Sequence, residues 1–146
     1  MSNVLIAIAT LTVGFILATY GAYTSYYSLK RAEYFDRVST GFELAVVYVT
    51  EMEQDLGRVP VAADLDPARF ADLEGHGIVY RYGSAVGWNG KPYVWVCARA
   101  PVKQPYIEEA FQKVADQRTG TLFGPNCQNW TGSGASVAIT YRLNEV

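Results

Sequence analysis

The sequence predicts an α+β fold in which one long N-terminal α-helix, its first half apolar and protruding, packs by its second half on a small antiparallel β-sheet. Three observations predict it. Met1 to Leu29 hold no Asp, Glu, Lys, Arg or His; apolar residues then recur at helical spacing from Phe35 to Leu56; and short Val-, Tyr- and Trp-rich runs follow, separated by Gly- and Pro-bearing turns. The 146 residues suit one domain with an appendage, because domains commonly run to about 100 to 200 residues. The division expected is an apolar arm, 1–29, and a globular head, 30–146. Within the head, 30–56 is the amphipathic half of the helix, 57–77 a connecting region, and 78–146 the sheet with both cysteines.

The arm comes first. At the α-helical rise its uncharged length reaches about 43 Å, against about 30 Å for the hydrocarbon core of a bilayer. Val4, Leu5, Ile6, Ile8, Leu11, Val13, Phe15, Ile16 and Leu17 supply its apolar surface, and a transmembrane helix is the expectation. A secretory signal peptide shows a basic leader region, a shorter apolar core and a small-residue cleavage site. None of these precedes Lys30, so the segment is read as retained. Lys30, Arg31 and Arg37 all follow it, and the positive-inside bias alone would keep the head in the cytoplasm. A short basic leader removed after insertion reconciles that bias with a head outside, and makes Met1 a processed N-terminus.

Beyond Lys30, Phe35, Val38, Phe42, Ala45, Val46, Val49, Met52 and Leu56 step by three and four residues, which is one face of a helix. Glu33, Arg37, Glu43, Glu51 and Glu53 take the other faces. Gly57 follows as the cap and Pro60 prevents continuation. Gly14, Gly21 and Gly41 each weaken the helix by about 1 kcal/mol relative to Ala, and mark where it would bend; Gly14 and Gly21 are the flexibility points of the arm.

In the head, Asp66 caps a short helix whose first turn holds Pro67 and whose apolar side is Phe70 with Leu73. Ile78 to Tyr82 reads as a strand, Gly83 to Gly90 as a loop, and Tyr93 to Ala100 as a second strand paired antiparallel with the first. Tyr106 to Gln117 is a helix, with Ile107, Ala110, Phe111 and Val114 on one face and Glu108 and Glu109 near its positive end. Gly120 to Gly134 reads as a loop holding Cys127. Ser136 to Leu143 closes the sheet, with Val137, Ile139 and Tyr141 on one side.

Cys97 and Cys127 admit two readings: a bridge, or two buried thiols in a reducing compartment. The arm favours the bridge by bringing the head within reach of an oxidising compartment. It would close a loop of about 30 residues, worth roughly 3 to 4 kcal/mol on the chain-entropy account. A net charge of −2 leaves no clustered basic surface, so direct nucleic-acid binding is not expected. Eleven tyrosines, spread over arm and head, suit protein contacts.

At the level of the whole architecture the chain resembles type IV pilins and the pilin-like pseudopilins of type II secretion. Gly14 with Tyr23 and Tyr27 is similar to the helix-softening glycine and membrane-edge tyrosines of that family. The segment Asp55-Leu56-Gly57-Arg58-Val59-Pro60 ahead of Asp64-Leu65 resembles its D-x-G-x-Y-P exit from the long helix. A disulfide closing a late loop resembles the family's D-region. The resemblance implies a structural subunit of an extracellular filament, the apolar residues from Val4 to Leu17 forming the filament core. It also implies assembly with copies of the same chain, an inner-membrane assembly machinery, a prepilin peptidase and a methylated N-terminal amine. The head would lie in the periplasm and the arm in the inner membrane before assembly. Two departures stand out. Leu5 occupies the position of the family's usual glutamate, and no proline lies near residue 22, where Gly21 stands instead. Tip-located subunits sometimes lack that acid, so a minor subunit or pseudopilin is the alternative within the family. Outside it stands a monomeric, membrane-anchored periplasmic binding module.

Other residues carry less. His76, the only histidine, is flanked by Asp72 and Glu74; a metal site needs more ligands at suitable spacing, so a solvated loop is the reading. Tyr20, Tyr23 and Tyr27 suit either a membrane-edge belt or subunit packing. Asn129-Trp130-Thr131 matches a glycosylation acceptor pattern. Trp95 is expected in the core and Trp88 exposed. No nucleophile, base and orienting group can be assembled, so neither an enzyme nor a cofactor is expected.

Overall fold

The structure, a computed structural model, describes residues 2–127 and 135–144. Helix α1 runs Ser2–Leu56. A 3-10 turn, Ala62–Asp64, and helix α2, Pro67–Ala71, follow, then β1 (Val79–Val86), β2 (Pro92–Pro101), helix α3 (Pro105–Gln117), β3 (Thr121–Gly124) and β4 (Ser136–Leu143). The chain divides into two units, Met1–Glu33 and Tyr34–Val146. The second begins at the first buried side chain of α1, Tyr34.

In the second unit the described strands form one antiparallel sheet in the order β1-β2-β4-β3. Alternation along each strand sends one set of side chains inward. Tyr80, Val94, Val96, Ala98, Ala100, Val137 and Ile139 meet Val38, Phe42, Ala45, Val46 and Val49 of α1 and Ile107, Phe111 and Val114 of α3 in one apolar cluster. The stripe read from the sequence is thus the buried face, joined by Tyr34. Leu56 departs from it at 39 % exposure, because the helix stops there: Gly57 takes φ +63° and its N–H donates to the Glu53 carbonyl at 2.9 Å. Arg58 then grips Asp64 through two bonds of 2.8 and 3.1 Å, and Asp64 also accepts from the Val61 N–H at 2.8 Å. These bonds hold the Asp64 carboxyl below its ordinary range, the Arg58 hydrogen bonds first and the Val61 amide second.

Asp66 caps α2 by accepting from the Ala68 N–H at 2.9 Å, and its own N–H donates to the Tyr48 hydroxyl at 2.8 Å. Phe70 of α2 is buried between Tyr48 and Tyr82, its ring stacked on Tyr82 at 4.3 Å. His76 and Gly77 take φ 53° and 83° in the tight turn Gly75–Ile78, the backbone of a type I′ turn. His76 is exposed there.

Four expectations are corrected. The loop expected from Gly83 to Gly90 is half strand: β1 continues to Val86, and the turn shrinks to the residues around Gly87, whose N–H donates to the Lys91 carbonyl at 2.8 Å. Gly83, a turn signal in sequence, is a strand residue because the Trp95 indole covers it; a Cβ there would stand 2.6 Å from the ring. Trp95 itself is half-buried on the outer face of the sheet, since its neighbours Val94 and Val96 take the inner one. The loop expected from Gly120 to Gly134 contains β3, four residues that follow Gly120 and end in Gly124, too short to show a pattern without its partner β4. Gly41 is no bend point: α1 runs through it unbroken, and the Tyr80 phenol is seated on it. Trp88 is exposed at 93 %. Asn129, Trp130 and Thr131 lie outside the described residues.

Candidate assembly helix and outer-face groove

The first unit is helical along the arm, and its large apolar side chains are turned to solvent. Ile8, Leu11, Val13, Phe15, Ile16 and Leu17 are 55 to 75 % exposed. Val4, Leu5 and Ile6 are helical in backbone, but their side chains, like Met1 as a whole, lie outside the described residues. The helix is unbroken at Gly14 and Gly21, where an added Cβ would meet nothing within 4 Å.

Hydroxyls punctuate this surface, and they turn back on their own helix. Thr12 donates to the Ile8 carbonyl at 3.0 Å, Thr19 to Phe15 and Ile16 at 2.9 Å, Thr24 to Gly21 at 3.0 Å and Ser28 to Ser25 at 2.9 Å. Each of these four donors is thereby satisfied without a second molecule, and around Thr12 and Thr19 what the helix offers a neighbour is chiefly apolar surface. Among the described residues no helix is long and apolar enough to cross a membrane; the side chains of Val4, Leu5 and Ile6, on which the expected span also rests, lie outside them.

Toward the end of this unit Tyr23 and Tyr27 stack with ring centroids 6.4 Å apart. Tyr20, Tyr23 and Tyr26 are 62 to 68 % exposed. Lys30 lies 5.9 Å over the Tyr26 ring and pairs with Glu33 at 3.0 Å.

The second unit carries a groove on the outer face of its sheet, which reading by sequence missed. Cys97 and Cys127 are joined, their Cα atoms 5.6 Å apart. The bridge lies on the face away from the helices, because Cys97 alternates with Val96 and Ala98 of the core. Arg81 stands opposite Cys97, and Arg99 opposite Val79. A cavity of about 530 Å³ follows, lined by Val79, Arg81, Trp95, Arg99, Pro101 and Cys127 among others. Arg99 donates through Nε and Nη2 to the Ser136 hydroxyl at 3.2 and 3.0 Å, and that hydroxyl donates to the Pro125 carbonyl at 2.8 Å. Arg81 pairs with Glu74 at 3.2 Å, its side chain 63 % exposed. The available signal was period two: Arg81, Trp95, Cys97 and Arg99 all occupy the alternate positions of their strands.

Among the described residues, no group of three or more His, Cys, Asp or Glu side chains is placed to hold a metal ion. No protein-family model, curated protein or solved structure matches the chain.

Proposed function

We propose that the chain is a structural subunit of a type IV pilus-like extracellular filament, polymerised with copies of itself through its N-terminal helix. The observation that carries this reading is the arm. It presents Ile8, Leu11, Val13, Phe15, Ile16 and Leu17 to solvent on a helix where the Thr12 and Thr19 hydroxyls between them are bonded to their own backbone. An exposed apolar surface of that kind calls for a partner, and a bundle of identical arms supplies one at every level of the helix. Burying about 1,000 Å² of apolar surface per subunit is worth on the order of 25 kcal/mol gross.

The disulfide supports the same reading, since such bridges persist in oxidising surroundings outside the cytoplasm. An assembly machinery that inserts and orders the subunits is part of the proposal. A subunit that polymerises throughout the fibre and one confined to its tip differ in copy number, which quantitative mass spectrometry of isolated fibres separates.

The test is electron microscopy of the full chain and of Val13→Asp and Ile16→Asp. Wild-type chain forms fibres, and either carboxylate in the arm abolishes them. Fibres that survive both substitutions, or a wild-type chain that forms none, overturn the reading.

A further inference from the structure

We infer that the outer-face groove is the seat for a second copy of this chain, which inserts the solvent-facing ridge of its α1 helix. This rests on the filament reading and adds to it a contact between heads.

The ridge is a stripe that the chain's own sheet leaves uncovered. Val38, Phe42, Val46 and Val49 face the core, while Thr40, Leu44, Val47 and Glu51 follow each other at four-, three- and four-residue steps on the opposite side of α1. Leu44 is 52 % exposed and Val47 39 %. Two apolar side chains thus stand in the open on a helix that buries its other face fully, and Glu51 closes the row one turn beyond them.

The groove matches this pattern in polarity and in sign. Val79, Trp95 and Pro101 give it apolar walls, Arg81 stands there paired with Glu74, and Arg99 gives it a guanidinium hydrogen-bonded to the Ser136 hydroxyl. Arg99 is held by a neutral hydroxyl and keeps its charge uncompensated by that bond. The exposed surface of α3 fits less well, because Glu108, Glu109 and Asp116 there surround Lys113 and no large apolar side chain is exposed among them. In the proposed contact Leu44 and Val47 cover the Trp95 indole and Glu51 takes Arg99, an arrangement that suits bidentate guanidinium–carboxylate pairing.

Groove and ridge belong to opposite layers of the head. The contact is therefore heterologous: each copy uses one surface to receive and a different one to insert, so copies can add in one direction. An open filament is built from contacts of this heterologous kind.

The test is sedimentation velocity of the full chain in a non-ionic detergent that shelters the arm, comparing wild type, Arg99→Glu, Glu51→Arg and the double variant. Wild type self-associates, and association weakens as salt is raised. Either single reversal weakens it at least tenfold, and the double variant recovers most of the loss. Glu51→Arg lies on exposed helix, so the comparison survives if Arg99→Glu disturbs the fold. A monomeric wild type, single reversals within twofold of it, or a double variant without recovery overturns the inference. Fibre formation without detergent is read separately, so failure of arm-driven assembly and failure of the head contact are distinguishable.

Discussion

Tyr80 of β1 rests its phenol directly on Gly41 of α1, so that a Cβ at residue 41 would overlap the tyrosine hydroxyl and stand 3.1 Å from its ring carbon Cζ. A helix interior disfavours glycine by about 1 kcal/mol relative to alanine, and here that local loss lets an aromatic ring lie flush with the helix backbone. Gly41→Ala is expected to destabilise the head by about 1 kcal/mol net, overpacking of about 1 to 3 kcal/mol outweighing the gain in helix propensity. Urea denaturation reads it. Tyr80→Phe in the same chain should restore most of the loss, and an alanine variant as stable as wild type would show that the contact yields freely.

Tyr34 and Tyr80 predict an alkaline transition. Their hydroxyls are buried and find no hydrogen-bond partner. Burial, reinforced by the nearby charge of Tyr106, pushes the Tyr34 phenol up to about 12, and burial with Tyr34 pushes Tyr80 higher still. A raised folded-state value favours the protonated phenol, so this stabilisation is complete below about pH 10, the ordinary tyrosine value, and is lost as pH rises toward 12 and beyond. Tyrosinate absorbance and circular dichroism should change together in that window. Tyr34→Phe should move the midpoint upward, and an unmoved midpoint would exclude Tyr34 as a contributor.

The Cys97–Cys127 bridge spans 30 residues of sequence. Replacing both cysteines with alanine is expected to cost about 2 to 4 kcal/mol, read as a lower urea midpoint. Non-reduced peptide mapping should recover the two cysteine peptides linked; two free thiols in protein from an oxidising compartment would refute the pairing.

Arg58 and Asp64 provide a contrasting case at the exit of α1. The lowered carboxyl contributes at neutral pH, and its contribution disappears only as pH falls through that lowered range. Both groups face water, so the effect on overall stability is small. Arg58→Gln should shift the Asp64 titration, followed by nuclear magnetic resonance, back toward the ordinary carboxylate range. A titration curve that stays in place would assign the lowering to the Val61 amide alone.

Much of the fold was legible because its signals are local. The stripe from Val38 to Val49 has the period of a helix, Gly57 ends it with a positive φ, and Asp66-Pro67 opens α2 as a cap and first turn. Where the sequence misled, the deciding partner lay far away in the chain. Gly83 and Gly41 read as breaks until Trp95 and Tyr80 are seen to fill the space above them, and β3 needs β4 beside it before four residues become a strand. The groove was missed for the same reason: Arg81 and Arg99 are 18 residues apart in sequence and share a face only through the β1–β2 register.

The strand order β1-β2-β4-β3 places β4, the latest made of the four, between two earlier ones. A ribosome therefore delivers the exposed apolar side chains of the arm before the strand that completes the sheet. At translation speeds of about 5 to 20 residues per second, roughly 6 to 25 seconds separate the synthesis of Leu17 from that of Leu143. For that interval the apolar arm exists while the place of β4 between β2 and β3 is still empty, so the sheet closes only at the end of synthesis.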